Sequence, residues 1–595
     1  MGWRVGGGVF AKRLCRSAGL LGLALALIHP RPVAAAWPTD PLVNVPLCVA
    51  ANDQNEPVTT PDDCGGAITA WFDFRSGTSF DIYAQRVLSS GEVDPTWPAD
   101  GRALCAHAGD QTYPAIAADG TGGAIVAWAD RRSSTNYDIY AQHVLASGAV
   151  DPAWPADGRA VRTTANGHSA PTLVADGAGG AIIAWEGGPD AGLGSADIMA
   201  QHLLADGTLD PTWPTEGLSL CTATNRQSEP MIVADGSGGA IVVWNDLRNG
   251  TEWDIYAQRV LGDGGTDPAW PSDGLAVCAA AGQQLRSAAI PDGAGGAIVT
   301  WGDGRNSTNS KAYAQHVLAS GAVDPAWPAD GRAVCAAPND QSAPTLVSDG
   351  VGGAIVSWHD CRNGISNSDI YALHLLSDGS PDPVWPVNGR ALCSASNRQL
   401  APQPISDGEG GAIVTWWDRR NGTDWDLYAQ RVLANGVVDA MWPGDGLPVC
   451  RAMNSQISRS IVEDGVGGGI ITWSDGRSDG GDIYAQRVQG NGQLGGTTVG
   501  VSVQGEVPFM LDAVRPNPHR GGALIVSFTL ASPSPTSLEL LDVAGRRVTA
   551  CEVGSLGAGH HSLDLAIGGR IPVGLYFVRL RQGTSVRVQR VAILS

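Results

Sequence analysis

Charge is scarce in this chain, and positive charge is scarcest. Lys and Arg together number 38 against 59 Asp and Glu in 595 residues, for a formal net charge of −21. A nucleic-acid partner or an anionic lipid surface needs a cationic face, so neither fits as an electrostatic partner. The apolar run Ala18–Ile28 has 11 residues, where a membrane-spanning helix needs about 20, so no transmembrane segment is expected. Zinc-type Cys-x-x-Cys and His-x-x-x-His spacings are missing. So are a phosphate-binding loop and the Ser-x-Asp-x-Gly-x-x-Trp box of sialidases. With no catalytic constellation in view, the chain is expected not to be an enzyme. The alternative is an extracellular glycan-active hydrolase.

Glycine, proline and tryptophan are what the chain has in excess, at 79, 37 and 20 residues. Gly and Pro in such numbers mean either disorder or dense turns. The 43% of hydrophobic residues decides for turns, since a disordered chain lacks apolar area to bury. The N-terminus has a basic stretch (Arg4, Lys12, Arg13, Arg16), the apolar run, and the small-residue site Val33-Ala34-Ala35-Ala36. This is the layout of a secretory signal peptide over residues 1–36, with Trp37 first in the mature chain. The protein is therefore expected to be secreted or held at the cell surface.

A Gly-Gly-Ala-Ile-x-x-Trp motif (Gly-Gly-Gly-Ile in the last copy) recurs with its Trp at 71, 128, 185, 244, 301, 358, 416 and 473, in steps of 57 to 59 residues. Within one unit, Pro114–Ala118, Gly123–Trp128, Asp138–Leu145 and Arg159–Arg162 read as short strands separated by Gly-containing turns. Four strands per unit and eight units predict an all-β fold, an eight-bladed β-propeller over residues 37–494. The first copy opens on what reads as a fourth strand, Trp37–Cys48, and the last copy stops after its third. The N-terminal strand can therefore complete the last blade and close the ring. The order of a Pro-x-Ile strand, an Asp-Gly turn, an Ile-x-x-Trp strand and an Asp-Ile-Tyr strand resembles the TolB-type, WD-like propeller repeats. That resemblance implies that the first strand of each blade lines the channel and the fourth lies outermost.

Three polar positions repeat. An Asp two residues after the Trp is followed by Arg two further on: Asp73/Arg75, Asp130/Arg132, Asp246/Arg248, Asp303/Arg305, Asp360/Arg362, Asp418/Arg420 and Asp475/Arg477. A second Asp opens the third strand, as at Asp81 and Asp254. These acids could hold Ca²⁺, or the Arg could bridge both carboxylates as a structural fork. The fork is preferred, and no cofactor or metal is expected. The second position, six residues after a repeated Cys, carries Gln54, Gln111, His168, Gln227, Gln284, Gln341, Gln399 and Gln456. These could ring one mouth of the channel and bind a polar ligand such as a sugar, or satisfy backbone groups between blades. The third position is Cys, from Cys48 to Cys450, read as a small buried residue rather than a disulfide framework. His143, His202, His316 and His374 stand where the first unit has Arg86, which suggests a solvated strand face. The third unit departs most, with Arg162, His168, Glu186 in place of the acidic turn, the 187–195 loop and Met199.

A Gly-rich linker, 495–506, leads to residues 507–595, where Trp is absent and Ala523–Leu530, Ser537–Val543, Ser562–Ala566, Leu575–Arg581 and Val586–Leu594 read as strands of a small β-sandwich. Arg515-Pro516-Asn517-Pro518, Leu540-Leu541-Asp542-Val543-Ala544-Gly545-Arg546 and Pro572-Val573-Gly574-Leu575-Tyr576 resemble the C-terminal sorting domain of type IX secretion cargo and the related FlgD-like, Ig-like fold. The resemblance implies passage through the outer membrane with the export machinery as partner. The expected whole is a monomeric, non-catalytic binding or adhesion module with a glycan or protein ligand. The alternatives are the hydrolase and a purely structural envelope protein.

Overall fold

Each Gly-Gly-Ala-Ile-x-x-Trp motif forms a strand buried on both faces, because every second side chain packs against a neighbouring blade. In the computed structural model, the first blade is β2 (Gln54–Pro61), β3 (Ala67–Asp73), β4 (Asp81–Val87) and β5 (Arg102–Cys105), hydrogen-bonded in that order. The structure describes residues 37–496 except 134–135, 165–166, 188–194, 306–308 and 479, and 510–593 except 512–523, 531–535, 544–545, 554–558, 565–573 and 583–584. Residues 1–36, expected to be a signal peptide, residues 497–506 of the expected linker, and Arg515–Pro518 lie outside the described residues.

Eight such four-stranded antiparallel sheets follow one another. Each innermost strand touches the innermost strand of the next blade, and the last, Gln456–Glu463, touches β2. The result is an eight-bladed β-propeller. The ring closes as expected: β1 (Val45–Cys48) pairs with the last blade's third strand, with Val45 opposite Ala485 and Cys48 opposite Ile483. The Trp of every second strand is 0% exposed. Trp71 stacks on Tyr83 with ring centroids 6.5 Å apart. Gly101, at φ +97°, is required by that Trp, since a Cβ there would stand 2.7 Å from the Trp71 ring.

The Trp-Pro segments, whose role the repeat alone did not disclose, lock blade to blade. Trp97 Nε1 donates to the Ala146 carbonyl of the next blade (3.3 Å), and at the closure Trp37 Nε1 donates to Ser89 O (3.0 Å). The same indole-to-carbonyl bond occurs from Trp154, Trp213, Trp270, Trp327, Trp385 and Trp442.

The histidines are not on a solvated face. His143, His202, His316 and His374 are 7 to 9% exposed, and each ring bridges two carboxylates. His316 lies with Nδ1 2.8 Å from Asp324 and Nε2 2.9 Å from Asp292. Arg86 makes the equivalent clamp on Asp62 and Asp94, so Arg and His exchange because either can hold two acids. Both imidazole nitrogens donate only when the ring is charged. Burial alone would lower the His316 pKa, but the bonds to Asp292 and Asp324 outweigh it and hold the pKa above its ordinary value. The stabilisation is therefore complete below the ordinary imidazole range and fades as pH rises through the raised folded-state pKa. Urea midpoints of residues 37–595 are expected to fall across that window, and His316→Arg should flatten part of the fall. An identical pH profile in the variant would refute the clamp.

Residues 510–593 form two antiparallel sheets. One contains Met510–Leu511, Ile525–Leu530 and Gly559–Asp564; the other contains Thr536–Asp542, Arg547–Glu552, Gly574–Gln582 and Ser585–Ile593. Val526 and Phe528 from the first share one apolar cluster with Leu538, Leu540, Val578 and Leu580 from the second. Arg547–Glu552 and Met510–Leu511 are strands that the sequence reading did not place.

Candidate functional site

The repeated Asp and Arg form a buried frame. Asp73 is 0% exposed. It accepts Trp71 Nε1 at 2.8 Å, and Arg75 Nε and Nη2 at 2.9 and 2.6 Å. The guanidinium lies 3.7 Å from the Tyr83 ring centroid. Its Nη2 also reaches Cys48 Sγ (3.1 Å) and the Asp100 carbonyl (2.7 Å). Arg75 therefore ties its blade to the outer strand of the blade before, and does not bridge to Asp81 as the fork reading expected. The same bidentate pair recurs at Arg132, Arg248, Arg305, Arg362, Arg420 and Arg477. Asp81 stands opposite Asp73 in the ladder; burial, then the Asp73 charge, raise its pKa to about 6. Burial raises the thiols of Cys48, Cys105 and Cys221 to about 12, so they are inert.

The Gln ring lies behind the channel wall rather than in it. Gln54, Gln111, Gln227, Gln284, Gln341, Gln399 and Gln456 are 0% exposed. Gln54 Nε2 donates to the Asn52 carbonyl at 2.9 Å, and Gln111 to Gly109 at 2.8 Å. In the third blade His168, 2% exposed, bonds Thr164 Oγ1 at 2.7 Å. A Cβ on Gly187 would collide with its ring. Gly187 pairs with Asp197, so Gly187 holds the Asp register and Glu186 does not. His168 and Gly187 are thus a matched exchange for Gln and Asp.

The bulge residues of the innermost strands, by contrast, vary from blade to blade. In each innermost strand two residues oppose one: Asn55 pairs with Phe72 and Val58 with Ala70, leaving Glu56 and Pro57 against Trp71. This β-bulge turns a side chain out of the pleat. Its first residue is left-handed in all eight blades (Glu56, Tyr113, Ala170, Glu229, Arg286, Ala343, Ala401 and Ser458, φ 47° to 59°). Such backbone costs about 1 kcal/mol or more each and is tolerated where the surroundings fix it. The residue between the Trp and the Asp register also varies: Phe72, Ala129, Glu186, Asn245, Gly302, His359, Trp417 and Ser474 are eight different types.

A cavity of about 370 Å³ opens among these positions, lined by Glu56, Thr345, Gln403, Trp417, Ser458 and Arg459, among others. Arg459 stands where six other blades have Pro, at 57, 114, 171, 230, 344 and 402. It is 6% exposed, donates to the carbonyls of Thr415 (3.2 Å) and Ala401, and lies 5.1 Å from the Trp417 ring centroid. Burial lowers its pKa to about 9. Among the described residues no carboxylate lies within ion-pair distance of it. Arg459 Nε, Trp417 Nε1 and Gln403 Oε1 are buried without a hydrogen-bond partner. Glu56 is open to channel water yet flanked by enough protein that desolvation raises its pKa. On the other side, between the third and fourth blades, the acids are already engaged. Glu186 pairs with Arg226 at 3.0 Å, and Glu229 accepts Asn245 Nδ2 at 2.8 Å. Sequence reasoning missed Arg459 and Trp417; the broken Pro register and the doubled Trp of Thr415-Trp416-Trp417-Asp418 were the available signals.

No family model matches the chain, and no curated protein matches it. Solved structures that align include a Hadza microbial sialidase, 11% identical over 69% of this chain and 73% of its own, with a TM-score of 0.32. A Penicillium chrysogenum α-L-arabinanase complexed with arabinobiose is 11% identical over 63% and 92%, with a TM-score of 0.32. An ulvan lyase is 11% identical over 64% and 92%, with a TM-score of 0.37. At these values the likenesses assign neither substrate nor reaction to this chain. All three are glycan-active enzymes, and against them the expectation that the chain is not an enzyme is withdrawn.

Proposed function

We propose that the protein is a secreted, glycan-active propeller that takes an acidic polysaccharide at the channel mouth and cleaves its glycosidic bonds. One observation carries the reading: among the described residues Arg459 is a buried cation with no carboxylate partner, beside unpartnered polar atoms of Trp417 and Gln403. A buried charge without a counter-ion is costly, and a ligand carboxylate or sulfate supplies one. Trp417 offers a face for a sugar ring, and Gln403 an acceptor for a hydroxyl. Glu56, its carboxyl raised by desolvation, stays protonated further toward neutrality and can donate its proton to the leaving glycosidic oxygen while water adds to the anomeric carbon, the proton that water loses then restoring the carboxyl. Residues 1–36 serve export, and 507–595 serve as an Ig-like sorting or anchoring domain.

The test is release of sugar ends from a panel of uronate-containing, sulfated and neutral polysaccharides by the mature chain, with ultraviolet absorbance separating elimination from hydrolysis. Glu56→Gln is expected to lower kcat about 100-fold or more with KM little changed, while Arg459→Gln raises KM. In the parent protein the rate should fall as pH rises through the raised Glu56 pKa. Absence of both binding and cleavage across the panel sinks the proposal.

A further inference from the structure

A second cavity, also about 370 Å³, adjoins the first at Ala343 and is lined by Gln283, Arg286, Ser310, Ser342 and His359. Arg286 is a left-handed bulge residue, exposed at the mouth, and among the described residues it forms no ion pair. His359 is the variable residue of its blade, and its Nδ1 is buried without a hydrogen-bond partner. The charged groups facing His359 are Arg286, Arg398, Asp340 and Asp360. Asp360 is held by Arg362 at 2.7 Å, and Asp340 accepts Ser310 N–H at 2.8 Å. Among the described residues Arg286 is the only charged side chain lining this cavity, so the lining is cationic.

We infer that this cavity is a second anion subsite, built to take the charged group of another sugar in the chain that Arg459 holds. The ligand is therefore a polymer with repeated negative charge, not a single acidic sugar. The inference rests on the proposed function and deepens it. Arg286 supplies the charge, and Gln283, Ser310 and Ser342 supply hydrogen bonds. His359 adds a proton-linked contact. Burial first, then Arg286 and Arg398, lower its pKa to about 4, so the free ring is neutral. An anion beside Arg286 offsets the cationic field and favours the charged ring, so binding takes up a proton. Affinity then falls as pH rises through the window between the free and bound pKa values, by up to about tenfold per unit.

The test is calorimetry of the mature chain with oligogalacturonides of increasing length, in buffers of different ionisation enthalpy. Sulfated and neutral oligosaccharides of matched length form the control arms. Affinity is expected to rise roughly tenfold, the worth of one charge-assisted pair, once the oligomer spans both cavities. Arg286→Gln should remove that rise and leave the shortest ligand's affinity intact. Its exposure makes an unchanged thermal midpoint the fold control. His359→Asn should remove the proton uptake. A stronger carboxylate or sulfate arm identifies the anion. Equal binding of the neutral chain, or length dependence surviving in Arg286→Gln, overturns the second subsite. Loss of binding in Arg459→Gln alone, with Arg286→Gln silent, overturns this inference and keeps the proposed function. No binding of any acidic oligomer to the parent protein overturns both.

Discussion

Asp418→Ala is expected to lower the unfolding free energy by about 4 kcal/mol. The carboxylate is 0% exposed and receives Trp416 Nε1 at 2.8 Å, Arg420 Nε at 2.9 Å and Nη2 at 2.6 Å, and the Arg420 backbone N–H at 2.9 Å. Removing it leaves a guanidinium without its counter-ion and an indole N–H without an acceptor. The cost of breaking a buried pair comes mainly from the partner left behind. It also loosens the join to the preceding blade, because Arg420 reaches Cys393 Sγ at 3.2 Å. The third blade shows that the frame can be replaced, but only as a set: Gly187 comes with His168, and Trp185 Nε1 is left without a partner. Urea denaturation followed by Trp fluorescence measures the loss, and a change below about 1 kcal/mol would contradict the frame as described.

Removing residues 37–48 is expected to prevent the ring from closing as a monomer. The segment buries Trp37, Val45, Leu47 and Cys48, at 1 to 7% exposure, and supplies the outer strand of the last blade. At about 1.5–3 kcal/mol per buried large side chain, the loss is comparable with the whole stability of a typical domain, about 5–15 kcal/mol. It also bares the edge of Asp482–Val488, a template for pairing with another chain. Size-exclusion chromatography should show aggregates or higher oligomers. A truncated chain that stays monomeric with an unchanged midpoint would show that β1 closes nothing.

The propeller was legible because its evidence is periodic. Trp recurs at a fixed spacing, and an N-terminal Cys strand matches the gap at the end of the array. The site was much less so. A repeated residue draws the eye, yet Gln54 and Asp73 repeat because they are buried. The bulge that aims Glu56 and Arg286 carries no glycine or asparagine to mark it, since the surrounding ladder imposes the left-handed backbone. The His clamps looked like surface exchange because the second acid, such as Asp324, is eight residues away across a turn. Glu186 was set one position out of register, which only the pairing of Gly187 with Asp197 corrects.

The bulge and the residue after each buried Trp have a consequence for how such a protein can change. Eight different side chains occupy one position, seven of them beside the same hydrogen-bonded Trp, Asp and Arg, so that frame does not require any one of them. Selection can therefore redraw the mouth one blade at a time, testing new specificities without endangering folding. The ring behaves as a set of interchangeable sockets around a shared opening, and an asymmetric site can arise on a symmetric scaffold.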